Sequence, residues 1–81
     1  MRRSRLKNNH PKWDDNFKDM TVRQANCIRK MRVEYNCSWR VVAGICDGFW
    51  NGNWGENQIV GMDICKRAME VLGQTWEDWG E

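Results

Sequence analysis

No stretch of this sequence is apolar for the roughly 20 residues that a bilayer-spanning helix needs. The opening residues, MRRSRLKNNHPK, begin charged but lack the apolar segment of a secretory leader, so a cytoplasmic protein without membrane contact is expected. Histidine occurs once, at His10, and the four cysteines, at 27, 37, 46 and 65, are separated by nine, eight and eighteen residues. Zinc sites use pairs such as C-x-x-C, because two ligands on one tight turn converge on one ion. That spacing is missing here, so neither a metal nor another cofactor is expected. In a reducing compartment the four thiols are expected to stay free. Cys46 and Cys65 fall on apolar helix faces, where cysteine behaves as a small hydrophobe.

Catalytic patterns are missing too. There is no Gly-rich phosphate loop, no metalloprotease pattern and no nucleophile–base pairing. Asp14 and Asp15 are adjacent, which splays them about 100° apart on a helix and prevents them from sharing a substrate. Eighty-one residues also leave little room for a concave pocket. An enzyme is therefore not expected, and binding is. No internal repeat, low-complexity stretch or strand pattern is present either.

What the chain does have is tryptophan: six, beside two Phe, one Tyr and five Met. Trp brings a large apolar area per ordered residue, which suits a fold with one modest core. The reading is all-α: a compact bundle of three main helices, helix-turn-helix-like, behind a short N-terminal helix. Residues 1–12 form a basic flexible arm and 13–81 a single helical domain. Pro11 suits a first helical turn, and Trp13, Phe17 and Met20 recur at i, i+4 and i+7. Thr21 and Gln24 form a capping box for a helix over 22–35, with Cys27, Ile28, Met31 and Tyr35 on one face. Ser38 caps a helix to about Phe49, whose apolar positions Trp39, Val41, Val42, Ala43, Ile45, Cys46 and Phe49 cover over half the circumference. Gly44 and Gly48 in that helix predict a close packing neighbour. Asn57 caps a helix over 58–72 that ends at Gly73. Trp76 and Trp79 in the tail are expected to fold back on the core.

The net charge is only +2, but it is unevenly spread. The arm carries Arg2, Arg3, Arg5, Lys7 and Lys12 with no acid; the last six residues carry Glu77, Asp78 and Glu81 with no base. This asymmetry predicts a basic arm that meets an anionic partner and an acidic tail that avoids it, the alternative being solvated ends that aid solubility. Flexible basic arms of this kind enter DNA minor grooves. Arg23, Arg29, Lys30 and Arg32 on the helix over 22–35 are further candidates to hold phosphates. Residues 38–72 run helix, Gly-containing turn, helix, which would turn Asn57, Gln58, Asp63, Lys66 and Arg67 toward a groove. Against this, the connection is about eight residues where three or four are usual, and Lys66 and Arg67 are balanced by Asp63 and Glu70. The alternative is that the helix over 58–72 is simply the central core helix. The loop Phe49–Gly55 offers the competing class: Trp is enriched at protein-binding hot spots, so Trp54 is a candidate for docking on a protein or for the core. Trp50 continues a core face.

The segments SWRVVA at 38–43, WGENQIVGMDIC at 54–65 and AMEVLG at 68–73 resemble small helix-turn-helix-like bacteriophage proteins, with N-Q-x-x-G-M-x-x-C as the most specific element. The resemblance covers about half the chain. It implies a phage product in the bacterial cytoplasm and carries over no individual DNA contact. The expectation is a protein that binds double-stranded DNA, a regulatory role included; the alternative is an effector that inhibits a host polymerase, nuclease or defence complex.

Overall fold

The computed structural model describes residues 17–81. The basic arm and most of the short helix from Pro11 lie outside the described residues; of that helix's apolar positions Phe17 and Met20 are described, and both are buried. Three main helices pack around one core, and no strand occurs among the described residues.

Helix α1, Val22–Arg29, starts where the sequence says it should. Thr21 Oγ1 accepts from the Gln24 amide at 3.1 Å, and Gln24 Oε1 accepts from the Thr21 amide at 2.9 Å. The two bonds satisfy two donors that a helix start otherwise leaves open. The chain then widens into a π turn, Lys30–Glu34, closed by the Tyr35 amide donating to the Lys30 carbonyl at 3.1 Å. This turn corrects the expected face. A π turn takes more residues per revolution than an α turn, so Tyr35 is carried off the stripe and ends 68% exposed. Cys27 is exposed as well, and the face centres on Ala25 and Ile28, both fully buried.

Helix α2, Trp39–Trp50, is capped by Ser38 Oγ, which accepts from the Val41 amide at 3.2 Å. Its wide apolar arc divides. Val42, Ala43 and Cys46 enter the core, while Val41, Ile45 and Phe49 stand 39%, 42% and 52% exposed. Helix α3, Gln58–Leu72, packs against both α1 and α2 and supplies Val60, Ile64, Cys65, Ala68 and Met69 to the core. It stops at Gly73, whose φ of 66° is left-handed, with the Gln74 amide returning to the Met69 carbonyl at 2.8 Å. This is a Schellman termination, which suits a residue without a β-carbon.

The glycine expectation holds for only one of its two positions. A β-carbon on Gly44 would sit 2.9 Å from Glu56 Cγ, whereas nothing lies within 4 Å of one on Gly48. The tightest helix contact is elsewhere, at Gly61 of α3, where a β-carbon would overlap the main-chain carbonyl of Trp39.

The tail folds back as expected, but unequally. Trp79 is 4% exposed and its Nε1 donates to Gln74 Oε1 at 2.8 Å; Trp76 is 37% exposed and meets Trp39 edge-on at 5.7 Å. Among the described residues no helix is long and apolar enough to cross a membrane.

Candidate nucleic-acid interface

The expected DNA contacts divide by what each side chain already does. Arg2, Arg3, Arg5 and Lys7 lie outside the described residues. Arg23 and Lys30 are exposed and lie seven residues apart, two helical turns, on the outer side of α1 and its π turn. Neither makes an ion pair among the described residues. On α3 the exposed positions are Gln58, Ile59, Met62, Lys66 and Glu70, a strip that runs the length of the helix. Six of the fifteen α3 residues are buried and four more are half-buried, so the outward strip is narrow.

Other members of the set are committed internally. Asn57 Oδ1 accepts from the amides of Ile59 and Val60 at 3.0 and 3.2 Å, which makes it the cap of α3. Arg67 pairs with Glu70 at 3.0 Å and donates through Nη2 to the Lys18 carbonyl at 2.6 Å, tying α3 to the chain ahead of α1. Arg29 is half-buried, and its Nε is buried without a hydrogen-bond partner among the described residues. Arg32 is the most heavily engaged: its guanidinium donates to both carboxylate oxygens of Glu81 and to the Cys37 carbonyl, and lies 3.6 Å from the Trp39 ring centre.

Trp54 is placed chiefly as a lid. Its Nε1 donates to the Ala43 carbonyl at 2.7 Å, its ring meets Phe17 edge-on at 6.1 Å, and its six-membered ring fills the space a side chain on Gly52 would need. Trp50, 6.1 Å from Phe17, packs against the core as expected.

Two residues with structural weight escaped sequence reasoning. Asp47 organises the loop after α2, accepting from the Asn53 amide at 2.6 Å and the Gly55 amide at 3.1 Å. The local signal was the run of residues that tolerate left-handed backbone, and Asn51, Asn53 and Gly55 all have positive φ. Glu81 had no local signal at all, since its partner is 49 residues away.

The buried thiols are unreactive by placement. Burial pushes the pKa of Cys46 and of Cys65 up to about 12. For Cys65 the neighbouring Cys46 and Glu81 add to the rise, while Arg32 opposes it. No group of three metal-ligating side chains converges among the described residues.

Compared with protein-family models, curated proteins and solved structures, the chain matches none.

Proposed function

We propose that this protein binds double-stranded DNA, as a small helix-turn-helix-like phage protein with a regulatory role in the bacterial cytoplasm. The observation that carries the reading is the pairing of a basic arm with Arg23 and Lys30, exposed cations two turns apart that make no ion pair among the described residues. Phosphate contacts from such side chains give affinity and register, while base contacts give sequence preference. Gln58 and Lys66, exposed on α3, are the side chains left to read bases. The test is fluorescence anisotropy on a labelled duplex across a salt series. Binding at low salt that weakens linearly in log–log form is the expected result; no binding at low salt overturns the reading.

One observation favours a second reading, docking on a host protein such as a polymerase, nuclease or defence complex. Val41, Ile45 and Phe49, spaced i, i+4 and i+8, leave an apolar stripe of α2 in water. This stripe, rather than Trp54, is the surface that such a partner would cover.

A further inference from the structure

We propose that Arg32 forms an anion site which Glu81 keeps closed, and that a backbone phosphate of bound DNA takes the place of the Glu81 carboxylate. The identity of the incoming anion rests on the DNA-binding reading above; the existence of the site does not.

The argument begins with the guanidinium. Arg32 Nε donates to Glu81 Oε2 at 2.8 Å and Nη2 donates to Oε1 at 3.1 Å, a two-pronged pairing. That fork matches a carboxylate and a phosphate equally well, because both present two oxygens at similar spacing. Two further contacts hold the fork without help from Glu81. Nη1 donates to the Cys37 carbonyl at 2.8 Å, and the guanidinium carbon lies 3.6 Å from the Trp39 ring centre. Trp39 is itself propped edge-on by Trp76 at 5.7 Å. The cation is therefore positioned in advance, so an incoming anion does not have to order it.

The cover is built so that only one side chain has to move. Trp79 anchors the tail in the core, and the reciprocal bonds between Thr75 and Asp78 hold the turn Glu77–Trp79. Gly80 then takes left-handed backbone, φ 80°, and the Glu81 amide returns to the Trp76 carbonyl at 3.0 Å. Beyond that fixed backbone the Glu81 side chain can rotate away without unpacking Trp79. The pair also lies at the edge of solvent, with 18% of the Arg32 side chain and 27% of the Glu81 side chain exposed, so an anion can reach it. A partly exposed ion pair is a weak clamp for a fold but an effective competitor for a neighbouring phosphate.

The test is a double-mutant cycle with Glu81→Gln and Arg32→Lys, on the full chain, with melting curves to confirm folding. Lysine keeps the charge and the stem but loses the fork. Glu81→Gln is expected to tighten duplex binding severalfold in the native background and to give little gain once residue 32 is lysine. An equal gain in both backgrounds would mean that the lost carboxylate acts only through long-range repulsion, and would overturn the proposal. A second readout separates this inference from the DNA reading. Inorganic phosphate titrated into the Glu81→Gln variant should move the Arg32 Nε–H and Trp39 indole NMR signals saturably, and should move the Trp39 indole much less in the double variant, where residue 32 is lysine. Unmoved signals overturn the site even where duplex binding is found; saturable shifts without duplex binding retain the site and reject DNA as its source of phosphate.

Discussion

Gly61 lies against the main-chain carbonyl of Trp39, so close that a β-carbon at position 61 would overlap that oxygen. The contact is where the middle of α3's first turns meets the start of α2, and its partner is backbone, which cannot rotate away. Gly61→Ala is therefore expected to cost about 1–3 kcal/mol or more, as overpacking does. Gly48→Ala is the matched control: nothing lies within 4 Å of its β-carbon, and alanine in a helix interior gains about 0.5–1 kcal/mol over glycine. Urea melts of the two variants should move in opposite directions.

The divided apolar arc of α2 gives a second contrast. Ile64, on the neighbouring α3, is fully buried, and Ile64→Ala should cost about 2–5 kcal/mol. Ile45 looks equivalent by periodicity, yet it is 42% exposed, and Ile45→Ala should fall to about 1 kcal/mol or less. Thermal denaturation that showed equal losses would contradict this packing.

Trp54 offers a test of lid against interface. Trp54→Phe keeps a ring against Phe17 but loses the bond to the Ala43 carbonyl, for an expected loss of about 0.5–1.5 kcal/mol. Under the host-protein reading, Ile45→Arg should abolish capture of the partner while leaving the melting temperature nearly unchanged. A Trp54 variant would instead lose binding only as far as it loses folding.

The thiols predict both a labelling order and a pH dependence. Iodoacetamide should modify exposed Cys27 in the folded protein and reach Cys46 and Cys65 only on unfolding. Both buried thiols have a folded pKa near 12 against an ordinary 9.0. The unfolded chain therefore loses these protons first, and the folded state binds more of them between those values. Stability from this source is fully present below pH 9 and falls as pH rises toward 12, by up to about 1.4 kcal/mol per pH unit for each thiol. Cys46→Ala with Cys65→Ala should flatten that part of the stability–pH curve.

For DNA, deleting residues 1–12 removes five cations. If each neutralises one phosphate, the log–log salt slope should flatten by up to about 4–5 units. Arg23→Ala and Lys30→Ala should each flatten it by about 0.9 on any sequence, whereas Lys66→Ala should cost about 1–3 kcal/mol on a preferred sequence alone. Anisotropy titrations on two unrelated duplexes distinguish these outcomes.

By itself the sequence determined where the three main helices begin and where the last one ends. The caps at Thr21, Ser38 and Asn57 and the turn at Gly73 bond residues two to five positions apart, so their signals are local and can be read from spacing. It likewise marked Cys46 and Cys65 as buried, and singled out Arg23, Lys30, Gln58 and Lys66, which do face water. Tertiary structure alone decided which part of the α2 arc is core, because a helix with apolar residues over half its surface fits several packings equally well. It also decided that Gly61, not Gly48, marks the close helix contact. Arg32 and Arg67 carry the same local signature as the exposed cations, yet each is bound to a residue 49 positions away, Glu81 and Lys18. Periodicity reports which way a side chain points along its own helix; it holds no record of what another segment brings to meet it.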